Sequence, residues 1–427
     1  MNFTMVLIIL LILLGLRVPI WVALLASSLP YFIFNQVPLS VIPLTMSAGT
    51  ITSFILLGFP LFSLAGKLMN TGGITERIFD WANVHFGWIR GGLGHVNIVA
   101  SIIFAGMSGS AIADIGGLGS IEIDGMTKRG FDLEFSTAIT LASSTIGPII
   151  PPSTPLIIYA VIANQSVAAL FLGGIIPGLL MGISLMIMVY FYALKRKYPV
   201  EPFPNLKQSL KSSVRVILPT FNIVIILAGM AFGIFTPTEA AAVSVAYSIF
   251  LGMAVYKELT WKKLWSEIIS TAKFCASVYV IIGASMVFTF IITREQIGNQ
   301  LVAIIESTGL GATPVLFLFT ILVLVLGCLI DVTALIILIL PVIVPVLIAL
   351  DVDMVHYGVV FIMTGVLGIL TPPFGLGLYA AAGMTGLPFI KVVRSVTPFL
   401  IPLMVTIILV ILIPDLVLFI PNLFSQF

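Results

Sequence analysis

The sequence predicts an all-α polytopic membrane protein, and three observations carry that prediction. Of its 427 residues, 60% are hydrophobic and 8% are charged, against roughly 45–50% and about 25% in a soluble domain. Mean hydropathy is +1.23. The apolar residues come in blocks of about 15 to 20, a length suited to crossing a bilayer as a helix, and the blocks are interrupted by 37 glycines and 25 prolines rather than by charge. This composition excludes a soluble fold, a disordered chain, a coiled coil and collagen. A net charge of +2 leaves no basic face for nucleic acid. The two cysteines, Cys275 and Cys328, lie in apolar stretches without metal-ligand spacing and read as small core residues rather than a disulfide.

The order of the elements follows from the rule that Lys and Arg gather in cytoplasmic loops. The first block has neither a basic leader nor a small-residue cleavage site, so it reads as a membrane helix rather than a signal peptide. With the N-terminus outside, helices near 3–16, 18–34 and 52–68 put Arg17 inside, the uncharged stretch 35–50 outside, and Lys67, Arg77 and Arg90 inside. The next block rises from about 93, reaches the polar tip Ser108-Gly109-Ser110 and returns to Lys128-Arg129, which predicts a re-entrant hairpin over about 93–127. A broken helix over about 133–163 leads out to Asn164, and a helix near 168–194 returns to Lys195-Arg196-Lys197. The pattern then repeats upside down. Helices near 217–234 and 237–256 return to Lys257, Lys262, Lys263 and Lys273, and a third near 274–292 reaches Arg294 outside. A second hairpin over about 313–350 turns at Asp331, a broken helix over about 357–386 comes in to Lys391 and Arg394, and a last helix near 398–420 goes out. The result is about ten spanning helices plus two opposed hairpins, with both termini outside and, of the 19 basic residues, only Arg294 outside. Two amphipathic stretches, Leu206 to Val216 and Trp261 to Lys273, are expected along the cytoplasmic interface.

Internal similarity supports two inverted repeats, residues 1–210 and 211–427. Gly15, Arg17 and Pro19 with the apolar run after them resemble Gly233, Phe235 and Pro237, and GPIIPP (147–152) resembles GILTPP (368–373). The two offsets are 218 and 221 residues, close enough to argue duplication.

The helix breaks carry the functional expectation. Proline removes the N–H that would bond the carbonyl four residues earlier, so Pro151 and Pro152 free the carbonyls of Gly147 and Pro148, and Pro372 and Pro373 those of Gly368 and Ile369. Such oxygens suit a small hard cation such as Na⁺, although neighbouring Ser or Thr repairing a kink explains one break equally well. The tips, Ser108 to Ser110 with Asp114 and Asp331 to Ala334, each pair with the break in their own half, which gives two cation sites near the midplane. Half-helix N-termini starting nearby favour an anionic, carboxylate substrate. Ser143, Ser144, Thr145, Ser153, Thr154 and Thr371 lie at the same depth, as substrate contacts or as helix-packing groups. Asp114 and Asp331 are intramembrane acids, candidates for ion binding or for capping at the tips. Glu239, after Thr236-Pro237-Thr238, reads as a helix-capping residue. His85, His95 and His356 show no ligand spacing.

Four segments, MSGSAIADIGGLGSIEIDGM (107–126), ASSTIGPIIPPSTPLIIYA (142–160), GIFTPTEAAAVSVAYS (233–248) and GILTPPFGLG (368–377), resemble the large membrane (M) subunit of tripartite ATP-independent periplasmic (TRAP) transporters. The resemblance covers nearly the whole chain. It implies a bacterial inner-membrane secondary transporter of elevator type with periplasmic termini, driven by a Na⁺ gradient and using no organic cofactor. The cargo would be an organic acid, a sialic acid or a C4-dicarboxylate, received from a periplasmic binding protein (P subunit). A small four-helix membrane subunit (Q subunit) is expected on a separate chain, with phospholipid around the assembly. Carried onto this sequence, the resemblance implies a first Na⁺ site at Ser108, Ala111, Gly147, Ile150 and Pro152, with Ala111 contributing only its carbonyl, and a second at Asp331, Thr333, Gly368 and Thr371. Ser110, Ser144, Thr145, Ser153 and Thr154 are the substrate candidates, and Asp114 is a structural or coupling acid. An alternative in the same fold is a self-sufficient Na⁺/carboxylate symporter of the divalent-anion type. An enzyme is not expected: an intramembrane aspartyl protease would need Asp114 and Asp331 on facing helices, and no Gly-x-Gly-Asp motif occurs. A channel fits less well, because occluded sites on opposed hairpins suit alternating access.

Overall fold

The computed structural model describes residues 2–16, 18–50, 54–109, 111–196 and 198–424, and within them the chain is helical, with no strand. Among the described residues, five α-helices precede the arm that reaches the first tip: α1 (Phe3–Gly15), α2 (Ile20–Phe34), α3 (Val41–Thr50), α4 (Gly58–Thr71) and α5 (Ile74–Phe86). Helix α6 (Gly92–Ser108) leads to that tip, and α7 (Ala111–Gly116) and α8 (Leu118–Lys128) lead away from it. The first interrupted helix is α9 (Leu133–Ser144) plus α10 (Thr154–Ala163), followed by the long α11 (Val167–Arg196). Then come α12 (Leu206–Ala231), α13 (Pro237–Phe250), α14 (Trp261–Arg294) and α15 (Ile297–Thr308). The second tip joins α16 (Ala312–Gly327) to α17 (Val332–Ala349), the second interrupted helix is α18 (Met354–Gly368) plus α19 (Leu376–Thr385), and α20 (Phe389–Leu412) and α21 (Asp415–Phe424) close the chain. Among the described residues, six helices or helical runs are long and apolar enough to cross a membrane alone: α11, α12, residues 237–255, α14, α17 and α20.

Local chemistry sets several of the boundaries. Thr236 and Glu239 form a reciprocal capping box at α13, with the Thr236 N–H donating to Glu239 Oε2 at 2.8 Å and Glu239 N–H to Thr236 Oγ1 at 3.3 Å. Asp353 caps α18 by accepting from the N–H groups of Val355 and His356, and Asn164 ends α10 in the left-handed region.

The structure differs from the sequence expectation at specific elements. The stretch 35–50, expected as an external loop, contains α3, and α5 and α15 are helices where loops were expected. Both are amphipathic with charges inside the apolar pattern, as in Ile74-Thr75-Glu76-Arg77, so neither stands out as a membrane block. The expected interfacial arms are not separate pieces. Leu206 to Val216 is the first part of α12 and Trp261 to Lys273 the first part of the 34-residue α14, which at 1.5 Å per residue is about 50 Å long against a hydrocarbon core of about 30 Å. The last helix is two, because Pro414 follows α20 and α21 starts at Asp415. Arg17 lies outside the described residues.

Helix α14 packs against α2, α3 and α4, and α13 against α4, while α9 packs against α6, α8 and α20. Two further contacts cross between the halves: α17 lies on α10, and α7 lies on α19. At one end, ion pairs join Arg77 to Glu258, Arg129 to Glu201, Arg196 to Asp132 and Lys391 to Glu134, bringing together segments remote in sequence.

Candidate functional site

Each tip is fastened to the interruption nearest to it in its own half. Thr154 Oγ1 donates to the Gly109 carbonyl at 3.0 Å. Gly109 adopts φ +61°, and a Cβ there would lie 3.0 Å from the Pro152 oxygen and from the Thr154 nitrogen, so backbone meets backbone. Asp114 is buried, and its Oδ2 occupies the space a Cβ on Gly147 would need. In the second half the Gly375 N–H donates to the Cys328 carbonyl at 3.0 Å. There Gly368 approaches Gly327 so closely that a Cβ on it would stand 2.6 Å from both Cα and C of Gly327. The Pro151–Pro152 and Pro372–Pro373 bonds are both cis.

The contacts of α10 with α17 and of α7 with α19 bring both tips to one cavity of about 460 Å³. Its wall takes Gly109, Ala111, Pro148 and Thr154 from the first half and Asp331, Thr333, Val366 and Ile369 from the second. The opposite wall is Ile20 with Phe274, Ser277, Val278 and Ile281 of α14. No Lys, Arg or His side chain is among its described lining, and Asp331 is the charged group there. Among the described residues no three His, Cys, Asp or Glu side chains converge, so a cation held here would rely chiefly on carbonyl and hydroxyl oxygens, with the Asp331 carboxylate as the one acidic donor in the described lining.

Of the residues expected at the first ion site, Ser108 ends α6, Ala111 opens α7 on the cavity wall, and Gly147, Ile150 and Pro152 are buried in the interruption. At the second, Asp331 and Thr333 line the cavity, Gly368 is buried at the α16–α18 contact, and Thr371 Oγ1 donates to the Leu367 carbonyl at 2.9 Å. Asp331 also caps α17, accepting from Thr333 N–H at 2.9 Å. Ser110 lies outside the described residues. Ser144 and Thr145 are buried and turned onto the carbonyls of Leu141 and Ala142 at 2.8 and 2.6 Å. Ser153 caps α10 and donates to the Pro148 carbonyl. Of these four, Thr154 alone reaches the cavity wall.

Three of the carbonyls expected to be freed by the prolines have donors. Pro148 receives the Ser153 hydroxyl, Gly368 receives Thr371 N–H at 2.9 Å and Ile369 receives Gly377 N–H at 2.9 Å. Turn geometry and a nearby hydroxyl therefore repair much of what proline removes, leaving the second lone pair of each oxygen for any ion. The α2 and α14 wall was not foreseen. Ser277, whose hydroxyl donates to the Phe274 carbonyl at 2.7 Å, is one serine in a long apolar helix, and nothing local marks it.

Interrupted helices whose ends meet at a small cavity inside an apolar bundle are the architecture of a secondary transporter. The family model for the tripartite ATP-independent periplasmic transporter, DctM component, matches residues 6–416, and the chain belongs to that family. It is 42% identical to the sialic acid TRAP transporter large permease protein SiaM of Vibrio cholerae over 95% of this chain and 97% of that one. With the C4-dicarboxylate TRAP transporter large permease protein DctM of Pseudomonas aeruginosa it shares 35% identity over 86% of each. Among solved structures, the Alcanivorax borkumensis YdaH transporter superposes with a TM-score of 0.66 at 13% identity, covering 88% of this chain and 87% of that one, a likeness of fold.

Proposed function

We propose that this chain is the large membrane subunit of a Na⁺-coupled TRAP system that takes up an organic acid across the bacterial inner membrane. A periplasmic binding protein delivers the acid, and a small membrane subunit on a separate chain completes the assembly. The carrying observation is the cavity rimmed by both tips and both interruptions, with no cationic side chain in its described lining. The first turns of α10 and α17 line it, and helix N-termini favour an anion. Their partial charges leave a carboxylate beside Asp331 incompletely balanced, which supports co-binding of Na⁺ at the tip-and-interruption pairs. The ion pairs gathered at one end support a cytoplasmic assignment for that end and periplasmic termini. Equivalent helix spacing supports the two inverted repeats: α9 and α10 begin at 133 and 154, α18 and α19 at 354 and 376. In this reading the tips and interrupted helices move as one body past α14 in an elevator step. Sialic acid is the first candidate cargo, because two relatives named for it, SiaM and the Haemophilus influenzae permease SiaT, are 42% and 40% identical, and the DctM relatives of Pseudomonas aeruginosa and Vibrio cholerae 35% and 32%.

The test is uptake of radiolabelled sialic acid and of a C4-dicarboxylate into proteoliposomes holding this chain and its small subunit, with and without an inward Na⁺ gradient and the binding protein. Accumulation requiring both supports the reading, and the acid that accumulates is the cargo. Accumulation with Na⁺ alone overturns it in favour of the self-sufficient symporter.

A further inference from the structure

Away from the cavity, the first tip-bearing unit holds an acid that the transport site does not use. Glu122 on α8 is 1% exposed. Its Oε2 accepts from Asn97 Nδ2 of α6 at 2.8 Å, and the same nitrogen lies 2.7 Å from Thr140 Oγ1 of α9. Asn97 Oδ1 accepts from Ser143 Oγ at 2.6 Å, and Ser101 Oγ donates to Ser143 Oγ at 3.0 Å. Five side chains thus tie α6, α8 and α9 together. Glu122 Oε1 is buried and meets no donor among the described residues.

The elements packed most extensively on α8 are α6, α7 and α9, and α19 adds the uncharged Met384 beside Gly119. Helix α7 brings the buried acid Asp114. Helix α6 brings Asn97 and Ser101, with His95 turned to the Arg90 carbonyl, and α9 brings Thr140 and Ser143. The other charges at the ends of α8 and α9 are engaged with Lys128, Arg196 and Lys391 at the exposed end: Asp124, Asp132 and Glu134. No cation faces Glu122 from the described part of these elements.

The heavy-atom positions fit two hydrogen-bond assignments, because the oxygen and nitrogen of an Asn amide exchange places on a half turn. The assignment above serves an ionised Glu122 and gives its two oxygens one donor, although a buried carboxylate needs several. With the Asn97 amide turned over, Glu122 Oε2 donates a proton to the Asn97 oxygen, and the Thr140 hydroxyl donates to that same oxygen. The amide nitrogen then donates to Ser143 Oγ, whose own hydroxyl reaches the Thr140 carbonyl at 3.1 Å. The acid proton, the Thr140 and Ser143 hydroxyls and one of the two amide N–H groups are placed, and Oε1 becomes the carbonyl oxygen of a neutral acid, for which a missing partner costs less than for a carboxylate.

We propose that Glu122 is a proton-binding site: the network carries it as a neutral carboxylic acid bonded to Asn97, and loss of that proton loosens α6 and α8 from α9, the helix that leads into the first interruption. On deprotonation the O–H bond breaks, the proton passes to solvent, and the amide turns to donate to the carboxylate. The proposal concerns the chain's own protonation and stands whether or not Na⁺ drives transport.

The test uses the full chain in lipid nanodiscs, comparing wild type with Glu122→Gln, an isostere of the neutral acid. Infrared difference spectra between neutral and alkaline pH should show loss of a neutral carboxylic C=O band in wild type and no such band in Glu122→Gln. The wild-type unfolding midpoint should fall as pH rises above the unfolded-chain glutamate value of about 4.3 and level off once the folded carboxyl is ionised, because only in that window does the folded chain hold a proton the unfolded chain has lost, and Glu122→Gln should lack that fall. The proposal is overturned if the band is absent from wild type, if Glu122→Gln keeps the fall with rising pH, or if Glu122→Gln does not fold, since the site must accept the isostere. A wild-type midpoint that follows Na⁺ at fixed pH, with Glu122→Gln removing that dependence, would assign the carboxylate to a metal ion and overturn it equally.

Discussion

Gly368 is the position where a single methyl group should separate ion binding from simple packing. In the native contact a Cβ would stand 2.6 Å from Cα and C of Gly327, so Gly368→Ala must part α16 from α18 by about 1 Å to restore an ordinary carbon–carbon contact of about 3.5 Å. Both obstructing atoms are backbone, and no rotamer change relieves them. Overpacking of this kind costs about 1–3 kcal/mol. Gly327→Ala is the internal control, because its Cβ would meet the Gly365 oxygen at 3.0 Å and Gly368 Cα at 3.2 Å, a smaller overlap at the same contact. The carbonyl of Gly368 survives both changes but moves away from the tip at Asp331 and Thr333. If these groups share an ion, the lost energy appears in Na⁺ binding, and at 1.4 kcal/mol per decade the half-saturating Na⁺ concentration rises roughly five- to a hundredfold in Gly368→Ala and less in Gly327→Ala. The assay is the Na⁺ dependence of the unfolding midpoint in nanodiscs and of uptake in proteoliposomes. A Gly368→Ala protein with a lowered midpoint but unchanged Na⁺ dependence would refute the reasoning, because the contact would then be structural and remote from any ion.

Asp331→Asn keeps an acceptor for Thr333 N–H and so keeps the cap on α17, but removes the charge. Folding should be unchanged while Na⁺ affinity falls about tenfold or more, the worth of one charge-assisted contact of about 1.5–3 kcal/mol, and titration of the midpoint with Na⁺ reads it. Thr154→Val removes the hydroxyl that holds the Gly109 carbonyl; one hydrogen bond of about 1 kcal/mol should raise half-saturating Na⁺ roughly fivefold, and an unchanged value would detach the tip from the site. At the exposed end, the Tyr198 hydroxyl at 2.6 Å and the Arg196 guanidinium at 2.5 Å donate to Asp132 and hold its carboxyl below the usual range. A depressed folded-state value stabilises the protein above the unfolded value of about 3.9 and is lost as pH falls through the folded value. Wild type and Asp132→Asn should therefore differ by a constant amount at neutral pH and converge only on strong acidification, as followed by thermal unfolding against pH.

The sequence signalled the interrupted helices because Pro-Pro inside an apolar run has one local meaning, and the boundaries at Ser144, Thr154, Gly368 and Leu376 bracket both motifs. Tips were legible for a related reason: Ser108-Gly109 and Asp331 are polar points in blocks too long for one turn and too short for two full spans. Helices α5 and α15 were not legible, since their apolar residues share each turn with charges such as Glu76, Arg77, Asp80 and Glu306 and fall below any membrane threshold. The polar side chains near the break were visible, but their directions were not. Ser144 and Thr145 sit on helical turns whose carbonyls lie within reach, so local hydrogen bonds claim them, whereas Thr154 starts α10 beside the tip and turns outward to Gly109. The α14 wall and the Glu122 network depend on partners from remote segments: Phe274 and Ser277 face Asp331, and Asn97 meets Thr140. Such pairings are properties of the packed bundle, and no local pattern encodes them.

Charge balance links these features. Two helix N-termini supply about half an elementary charge each to the cavity, and Asp331 offsets roughly that amount, with one oxygen already committed to its own cap. Under the proposed function, an arriving carboxylate would therefore meet walls that are close to neutral, lined by Ile20, Val278 and Ile281 on one side, and would gain little there to replace its hydration. A cation held by the tip and the interruption would change that balance at the same two elements whose N-terminal turns line the cavity. The tip bonds directly to the interruption in each half, through Thr154 to Gly109 and through Gly375 to Cys328, so under the proposed function ion and anion would act on shared backbone rather than on separate sites. Coupling would then need no long pathway: whatever drew the tip onto the break would also set the position of the helix ends at the cavity.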